Sequence, residues 1–502
     1  MSTSVKKLLK NILANQMGFL VSVVVTFFLS PFVVHSLGDV RYGVWALIVS
    51  LTGNYGLLTF GIQGAMTRYI AHAAATDDRE RVNEYFNSAM LFLLSSATLV
   101  IVIGLCVALL IEHIFVLPVD LIREAKWACI LVTFSVAGAF GFTAFDCILI
   151  AHQRFQITNT LGILMTLVRA AITIYLLKNG YDIIALAALS TGLSILNGTI
   201  LITAIKRFYP WIELSLQCIK PNRIKELINY GYKSFIIAIS ISLIYQFDLI
   251  VIGIYFSPAK IATYSFASTL ITYLTQFVSS ISRTFGPYAT ELYAKGQNEE
   301  LRKLFINASR SMYILGGLIV AGCITYGKDF YTLWLGPNYA ESAVILSILV
   351  IPHFFSTGAK VGSSLLTSMA MIGPLAISTI CEGLFNLILS IVLVKHYGLI
   401  GVAIGTLVPN VINNGLWLPL YIFRTLNMQL KIYFSSIMPG IMIGTVLYFI
   451  GYFLRNILIP ETWTIFTLNI TIVILFFIIC ISLLYPLTRY LFSRFQILIL
   501  KI

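Results

Sequence analysis

Six charged side chains fall inside runs that are otherwise apolar: Asp146, Arg169, Lys233, Asp248, Lys360 and Glu382. A charge at the centre of a membrane helix costs ~2.5–3.5 kcal/mol on insertion scales, so each needs a partner or a water-filled cavity. Depth sorts them. Lys233 lies near the inner end of its run and can snorkel to the surface. Asp146 is likewise near an inner end and is expected to anchor structure beside His152 and Arg154. Arg169 stands midway along its run with no charge near it in sequence. Lys360 follows His353 and is flanked by Gly358 and Gly362.

Arg169 and Lys360, one from each half of the chain, suit a diphosphate. Arginine can grip phosphate with a bidentate fork, and lysine acts as a point charge. The competing reading is an interhelical ion pair with Asp248 or Glu382. Either carboxylate could instead carry coupling protons or sodium, as intramembrane acids do in pumps and transporters. Gln63, Tyr245, Gln246, Gln276, Asn386 and Asn410 could line a path for sugars, with Asn54, Tyr55, Tyr273, Asn413 and Asn414 beside them. Sugars need hydrogen-bond partners and stacking surfaces in place of water. Polar residues that merely pack helices give the same signal.

No catalytic constellation accompanies these groups. The chain has no Walker-type phosphate loop, no histidine-rich metal spacing and no nucleophile elbow, so it reads as a non-enzyme needing no cofactor or metal. Its seven cysteines are scattered without a CxxC pair and read as small packing residues.

The elements that position such groups must be membrane helices. Hydrophobic residues make up 59% of the 502, charged residues only 11%, and the mean hydropathy is +0.92. A water-soluble core of that composition is implausible. The apolar runs are ~20 residues long, enough to cross ~30 Å of hydrocarbon as helix. Barrel strands would be half as long and would alternate, which excludes a β-barrel. About fourteen spans follow from a ~19-residue window, at roughly 13–35, 43–64, 87–110, 127–150, 157–177, 183–205, 230–254, 262–282, 311–327, 343–366, 374–394, 400–422, 435–454 and 465–486. The first is expected to be retained, not cleaved as a signal peptide.

With the N-terminus cytoplasmic, 22 of the 33 basic residues fall in inside segments, eight in outside segments and three within spans. That bias predicts both termini on the cytoplasmic side. The net charge of +13 then follows largely from topology, and no soluble basic domain is present for nucleic acid to bind.

The chain also repeats itself. Tyr69 to Ala89 is echoed 219 residues later by Tyr288 to Ala308: Tyr69/Tyr288, Ala75/Ala294, Glu80/Glu299, Phe86/Phe305 and Ala89/Ala308 coincide. Asn179-Gly-Tyr-Asp-Ile-Ile-Ala-Leu-Ala meets Tyr397-Gly-Leu-Ile-Gly-Val-Ala-Ile-Gly at an offset of 218. An even number of spans per unit makes such repeats parallel. The expected fold is thus all-α and polytopic: a six-helix bundle over 1–218, its repeat over 219–434, and two appended helices with a cytoplasmic tail over 435–502. The polar stretch from Lys206 to Leu227 reads as the linker between bundles. Segments 65–86 and 284–305 read as short amphipathic helices on the cytoplasmic surface.

Leu29-Ser-Pro-Phe, then Leu37-Gly-Asp-Val-Arg-Tyr-Gly-Val-Trp-Ala-Leu, then Gly56-Leu-Leu-Thr-Phe-Gly-Ile-Gln follow one another through the first two spans. This pattern resembles the opening of Wzx-type O-antigen flippases in the multidrug/oligosaccharidyl-lipid/polysaccharide (MOP) exporter superfamily. The resemblance extends over about the whole chain through span number, the two-bundle repeat and the appended pair. It implies alternating access and a polyprenyl-diphosphate-linked oligosaccharide as substrate, moved across a bacterial inner membrane for surface polysaccharide. It also implies membrane lipids, a polysaccharide polymerase and a chain-length regulator as partners. Related peptidoglycan-precursor flippases carry arginine in the first helix. Here that helix offers only Asn15, Gln16, Ser22, Thr26 and Ser30, so the resemblance does not extend to that substrate. Two rival readings remain: an ion-coupled multidrug exporter of the same superfamily, and a membrane glycosyltransferase or polymerase. Balanced intramembrane charges speak against the first, and short outer loops against the second.

Overall fold

The computed structural model describes residues 3–369 and 371–483, and regular structure there is entirely helical, with no strand. The tail carrying Arg489, Arg494 and Lys501 lies outside the described residues, as do the side chains of Lys6, Lys7, Lys10 and Lys233. In hydrocarbon a backbone has no water to satisfy it, so an apolar run of this length closes its hydrogen bonds within itself as helix.

The helices are α1 (Thr3–Gly53), α2 (Ile62–Ala75), α3 (Arg79–Ile114), α4 (Ile122–Ala151), α5 (Phe155–Lys178), α6 (Ile183–Phe208), α7 (Pro221–Tyr245) and α8 (Phe247–Tyr255). They continue as α9 (Pro258–Arg283), α10 (Gly286–Ala294), α11 (Asn298–Leu335), α12 (Ala340–Ser368), α13 (Ile372–Asn410), α14 (Leu418–Thr425), α15 (Leu430–Ile457) and α16 (Trp463–Leu483). A π-helical turn, Val411–Trp417, joins α13 to α14.

Ten of these elements are long and apolar enough to cross a membrane, or eleven with the bent pair inside α7. The difference from about fourteen has a local cause. The first two expected spans are one continuous helix, α1, interrupted only at Gly38 (φ 75°, ψ 162°). The eleventh and twelfth are likewise joined in α13, interrupted at Gly398 (φ 59°, ψ −136°). Both conformations are essentially reserved for glycine. The expected eighth span, α9, is too rich in serine and threonine to qualify by apolarity.

The repeat is written into backbone geometry. Asp77 and Gly296, 219 positions apart, both have positive φ (52° and 67°). The same bonds surround each: Asp77 N donates to Ala74 O and Asp78 N to Ala73 O, as Gly296 N does to Tyr293 O and Gln297 N to Leu292 O. Gly180 (φ 78°) and Gly398 (φ 59°) form the second matched pair. The segments expected as single amphipathic helices are therefore each split by a turn, into α2 with the start of α3 and α10 with the start of α11. A residue turned to φ > 0 cannot continue an α-helix.

The chain divides into two compact units, one of residues 1–242 and 252–262, the other of 243–251 and 263–502. In the first, Ile62, Met66, Val82, Phe86, Leu93 and Ile148 form a buried core, with the Phe86 and Phe145 rings edge to face at 5.3 Å. In the second, Leu301, Phe305, Met312, Leu365 and Phe423 do so, and Phe305 meets Phe423 edge to face at 5.7 Å. Repeat-related Phe86 and Phe305 thus play one part in each unit.

The linker is pinned to α3. Asn83 Nδ2 donates to Trp211 O and its Oδ1 accepts from Glu213 N (both 3.1 Å); Asn87 Nδ2 donates to Glu213 O and its Oδ1 accepts from Ser215 N (both 2.9 Å). Lys220 N donates to Ser88 Oγ at 3.0 Å. Arg223 bridges Glu84 at 2.9 Å and Glu226 at 3.0 Å. In the second unit, α15 lies against α11 where Gly317, Gly440 and Gly444 let the two backbones touch, the small-residue packing typical of membrane helices. A bidentate Arg455–Asp329 pair (2.5 and 3.0 Å) adds to that contact.

Candidate functional site

Within the second unit, α8, α9, α12 and α13 bring Asp248, Lys360 and Glu382 into a dense polar interior. Glu382 is buried and caged by amides: Asn410 Nδ2 donates to Oε1 at 2.8 Å, Asn413 Nδ2 to Oε2 at 2.5 Å, and Asn414 Nδ2 to both at 3.5 Å. The spacing i, i+3, i+4 aligns the three asparagines on one helix face. The π turn begins at Val411, between the first asparagine and the other two. Ser356 Oγ in turn donates to Asn410 Oδ1 at 2.9 Å.

Asp248 is arranged differently. Its Oδ2 accepts from Tyr264 Oη at 2.6 Å and from Thr406 Oγ1 at 2.9 Å. Its Oδ1 is buried with no hydrogen-bond partner among the described residues. A cavity of about 20 Å³ lies against it, also touched by Tyr245, Ser268, Thr272, His353 and Asn410. That volume admits one water or one small ion, since a single site needs ~10–15 Å³.

Lys360 is half-buried on α12 and its Nζ donates to Ser279 Oγ on α9 at 2.9 Å. One turn along α9, Thr275 Oγ1 meets His353 Nε2 at 2.6 Å, while His353 Nδ1 lies 3.1 Å from Leu349 O. A carbonyl can only accept, so Nδ1 carries a proton and donates to Leu349 O, while Nε2 and the Thr275 hydroxyl share the second bond. A void of about 10 Å³ touches both His353 and Lys360.

In the first unit Arg169 is exposed on α5, and its Nη1 donates to Ser190 Oγ on α6 at 3.3 Å. Neither Arg169 nor Lys360 takes part in an ion pair among the described residues, and Glu382 and Asp248 are held by neutral donors. The ion-pair alternative is not the arrangement adopted. Asp146 is not anchored by Arg154 either: Arg154 Nε donates to Tyr209 Oη at 3.0 Å and its guanidinium lies over the Phe208 ring.

The residues suggested for a sugar path separate by burial. Gln63 on α2 and Gln276 on α9 are exposed; Tyr245 and Gln246 are half-buried at the break between α7 and α8; Asn386 and Asn410 are buried. Both amide atoms of Asn386 lack partners among the described residues. Tyr264, Thr406, Thr275 and Ser279 escaped sequence reasoning. Thr406 lies one turn before Asn410 on the same face, which is a usable signal. Tyr264 is on a different helix from Asp248 and left none.

A family model described as "Polysaccharide biosynthesis protein" matches residues 8–293. The chain is 23% identical over 451 residues to an uncharacterized membrane protein, EpsK, of Bacillus subtilis, covering 85% of each. It is 21% identical over 414 residues to a probable low-salt glycan biosynthesis flippase, Agl15, of Haloferax volcanii, covering 82% of this chain and 81% of that one. Among solved structures it is similar to the lipid II flippase MurJ in an inward closed conformation, with TM-score 0.73 and 16% identity over 95% of this chain and 99% of that one. It is also similar to an inward-facing multidrug resistance MATE family transporter of the MOP superfamily, with TM-score 0.66 and 16% identity over 82% of this chain and 99% of that one. At such identities the structural likenesses show the fold alone.

Proposed function

The chain belongs to the polysaccharide biosynthesis protein family, a multi-pass membrane transporter of flippase type, and we propose that it flips a polyprenyl-diphosphate-linked oligosaccharide. The direction is from the cytoplasmic to the outer leaflet, in a bacterial inner membrane with both chain termini cytoplasmic. The product supplies an O-antigen-like surface polysaccharide, and a polymerase and chain-length regulator act on it afterwards. The similarity to a probable glycan biosynthesis flippase of Haloferax volcanii points the same way.

The observation that carries the reading is Lys360. It is an ammonium on a membrane-spanning helix whose hydrogen-bond partner is a neutral hydroxyl. A charge taken from water needs a counter-charge, and a diphosphate supplies it. Arg169, also without a carboxylate partner among the described residues, is the second cation offered to phosphate. The headgroup sugars exchange water for polar groups such as Tyr245, Gln246, Gln276, Gln63, Asn386 and Asn410. Asp248 carries the coupling ion or proton: one of its oxygens is unpartnered beside space for a single ion, whereas both oxygens of Glu382 are occupied.

The test is reconstitution. Proteoliposomes carrying a polyprenyl-diphosphate oligosaccharide should expose it to an impermeant lectin, and Lys360→Ala should slow that at least tenfold while Lys360→Arg retains it. Unchanged flipping by Lys360→Ala would remove the residue from the diphosphate site. Transport of cationic drugs without glycan flipping would favour the multidrug exporter.

A further inference from the structure

The first unit holds a cleft of about 500 Å³ between α4, α5 and α6 that none of the groups above uses. Its walls include Asp146, Asn159, Ser194 and Asn197, with the rings of Phe142 and Phe155. Neither the Asp146 carboxylate nor the Asn197 amide has a hydrogen-bond partner among the described residues, and both are half-buried. An acid and an amide left open inside a membrane-spanning bundle are costly unless something polar meets them.

Three features limit the occupant. The cleft is far larger than one ion needs, since a water's share of liquid volume is ~30 Å³, and it falls within the ~300–1,000 Å³ range of small-molecule sites. Its chemistry is mixed: acceptors and donors share the walls with aromatic rings, the combination that takes the hydroxyl edge and the apolar face of a pyranose. It is also pre-shaped. A Cβ at Gly198 would collide with the Phe142 ring, which holds that ring in place, whereas a Cβ at Gly162 would meet nothing within 4 Å and so opens into the space.

We propose that this cleft is a sugar-binding subsite for the headgroup oligosaccharide, selecting neutral or amino sugars against acidic ones through the unpaired Asp146 carboxylate. The inference rests on the flippase reading and deepens it by naming the substrate class. Asp146 accepts from sugar hydroxyls or an ammonium, and Asn197 supplies both a donor and an acceptor. A uronate would set two negative charges together, and like-charge juxtaposition is how a site rejects a wrong ligand. Asp146 lies five residues before the end of α4 at Ala151. In the proposed orientation that is the cytoplasmic half, where substrate arrives.

The experiment is saturation-transfer NMR on the full chain in lipid nanodiscs, with methyl glucoside, methyl 2-amino-2-deoxyglucoside and methyl glucuronide as probes. The neutral and amino glycosides should receive saturation and the glucuronide should not. Asp146→Asn should weaken the amino glycoside about tenfold or more, the value of a hydrogen bond to a charged group, and admit the glucuronide. Gly162→Phe should block all three. Absence of saturation in both the neutral and the amino glycoside, an unaltered pattern in both variants, or saturation confined to bilayer lipid would each overturn the subsite. Complementation of a deletion strain separates the two levels. Export by wild type together with equal export of neutral and acidic glycans by wild type and Asp146→Asn would sink the subsite and leave the flippase standing. Failure of wild type to move any lipid-linked glycan would sink the flippase reading itself.

Discussion

Replacing Glu382 by alanine removes the acceptor at the centre of the asparagine cage and separates its two suggested roles. Two of the amide bonds to it are well formed, at 2.8 and 2.5 Å, and the residue is only 6% exposed. Each buried donor left unpaired costs about 1–3 kcal/mol, so the variant should lose about 2–6 kcal/mol. The lower end applies where the freed amides find other partners, as membrane side chains often do. For a body of 150–250 residues 1 kcal/mol moves the midpoint by about 2–4 °C, so a fall of at least about 4 °C, and up to about 24 °C, is expected. Glu382→Gln keeps one acceptor oxygen and should fall between. The triple change Glu382→Leu, Asn410→Leu, Asn413→Leu removes donors and acceptor together and should recover much of the loss. The assay is the fraction of detergent-solubilised protein still monodisperse after heating. A Glu382→Ala protein with unshifted midpoint but no transport would refute the reasoning and return Glu382 to ion coupling.

Asp248→Asn should leave the thermal midpoint within about 4 °C, because a neutral amide still accepts from Tyr264 and Thr406 at its carbonyl, yet abolish the dependence of flipping on an imposed proton or sodium gradient in proteoliposomes. Gly38→Ala and Gly398→Ala should each destabilise by about 1–3 kcal/mol, the cost of forcing a side chain into a glycine-only backbone region, measured as a lower midpoint without loss of diphosphate binding. Gly317→Val should detach α15 from α11, costing about 2–4 kcal/mol through overpacking against backbone, and should expose the appended helices to limited proteolysis. Arg455→Ala should cost less, about 1 kcal/mol, since its pair with Asp329 is partly exposed.

Much of the architecture was legible because it is written in local rules. A turn that needs φ > 0 favours glycine, so Gly180/Gly398 mark the repeat in the letters as well as in the backbone, while Asp77/Gly296 mark it in the backbone alone. Apolar length revealed the helices, but it could not show that Gly38 and Gly398 interrupt helices that otherwise run on. The sequence offers a span at 262–282, yet the serines and threonines of α9 keep that helix below the apolarity of the other spans. The site was legible only as a set of charges. Asp248, Lys360 and Glu382 stand out by their cost in hydrocarbon, whereas their neutral partners Tyr264 and Ser279 come from elsewhere in the fold and have no signature of their own, and Thr406 is marked only by its place one turn before Asn410. Distance along the chain hid the asparagine cage too, 28 residues separating Glu382 from Asn410. The absence of an ion partner at Asp146, close in sequence to Arg154, could be learned only from where Arg154 points.

The measurement that reaches the central claim most directly is the identity and leaflet of the lipid-linked sugars that accumulate when the gene is deleted. A polyprenyl-diphosphate oligosaccharide should be trapped on the cytoplasmic face, released by wild type and not by Lys360→Ala. Normal surface glycan with no trapped intermediate would contradict it.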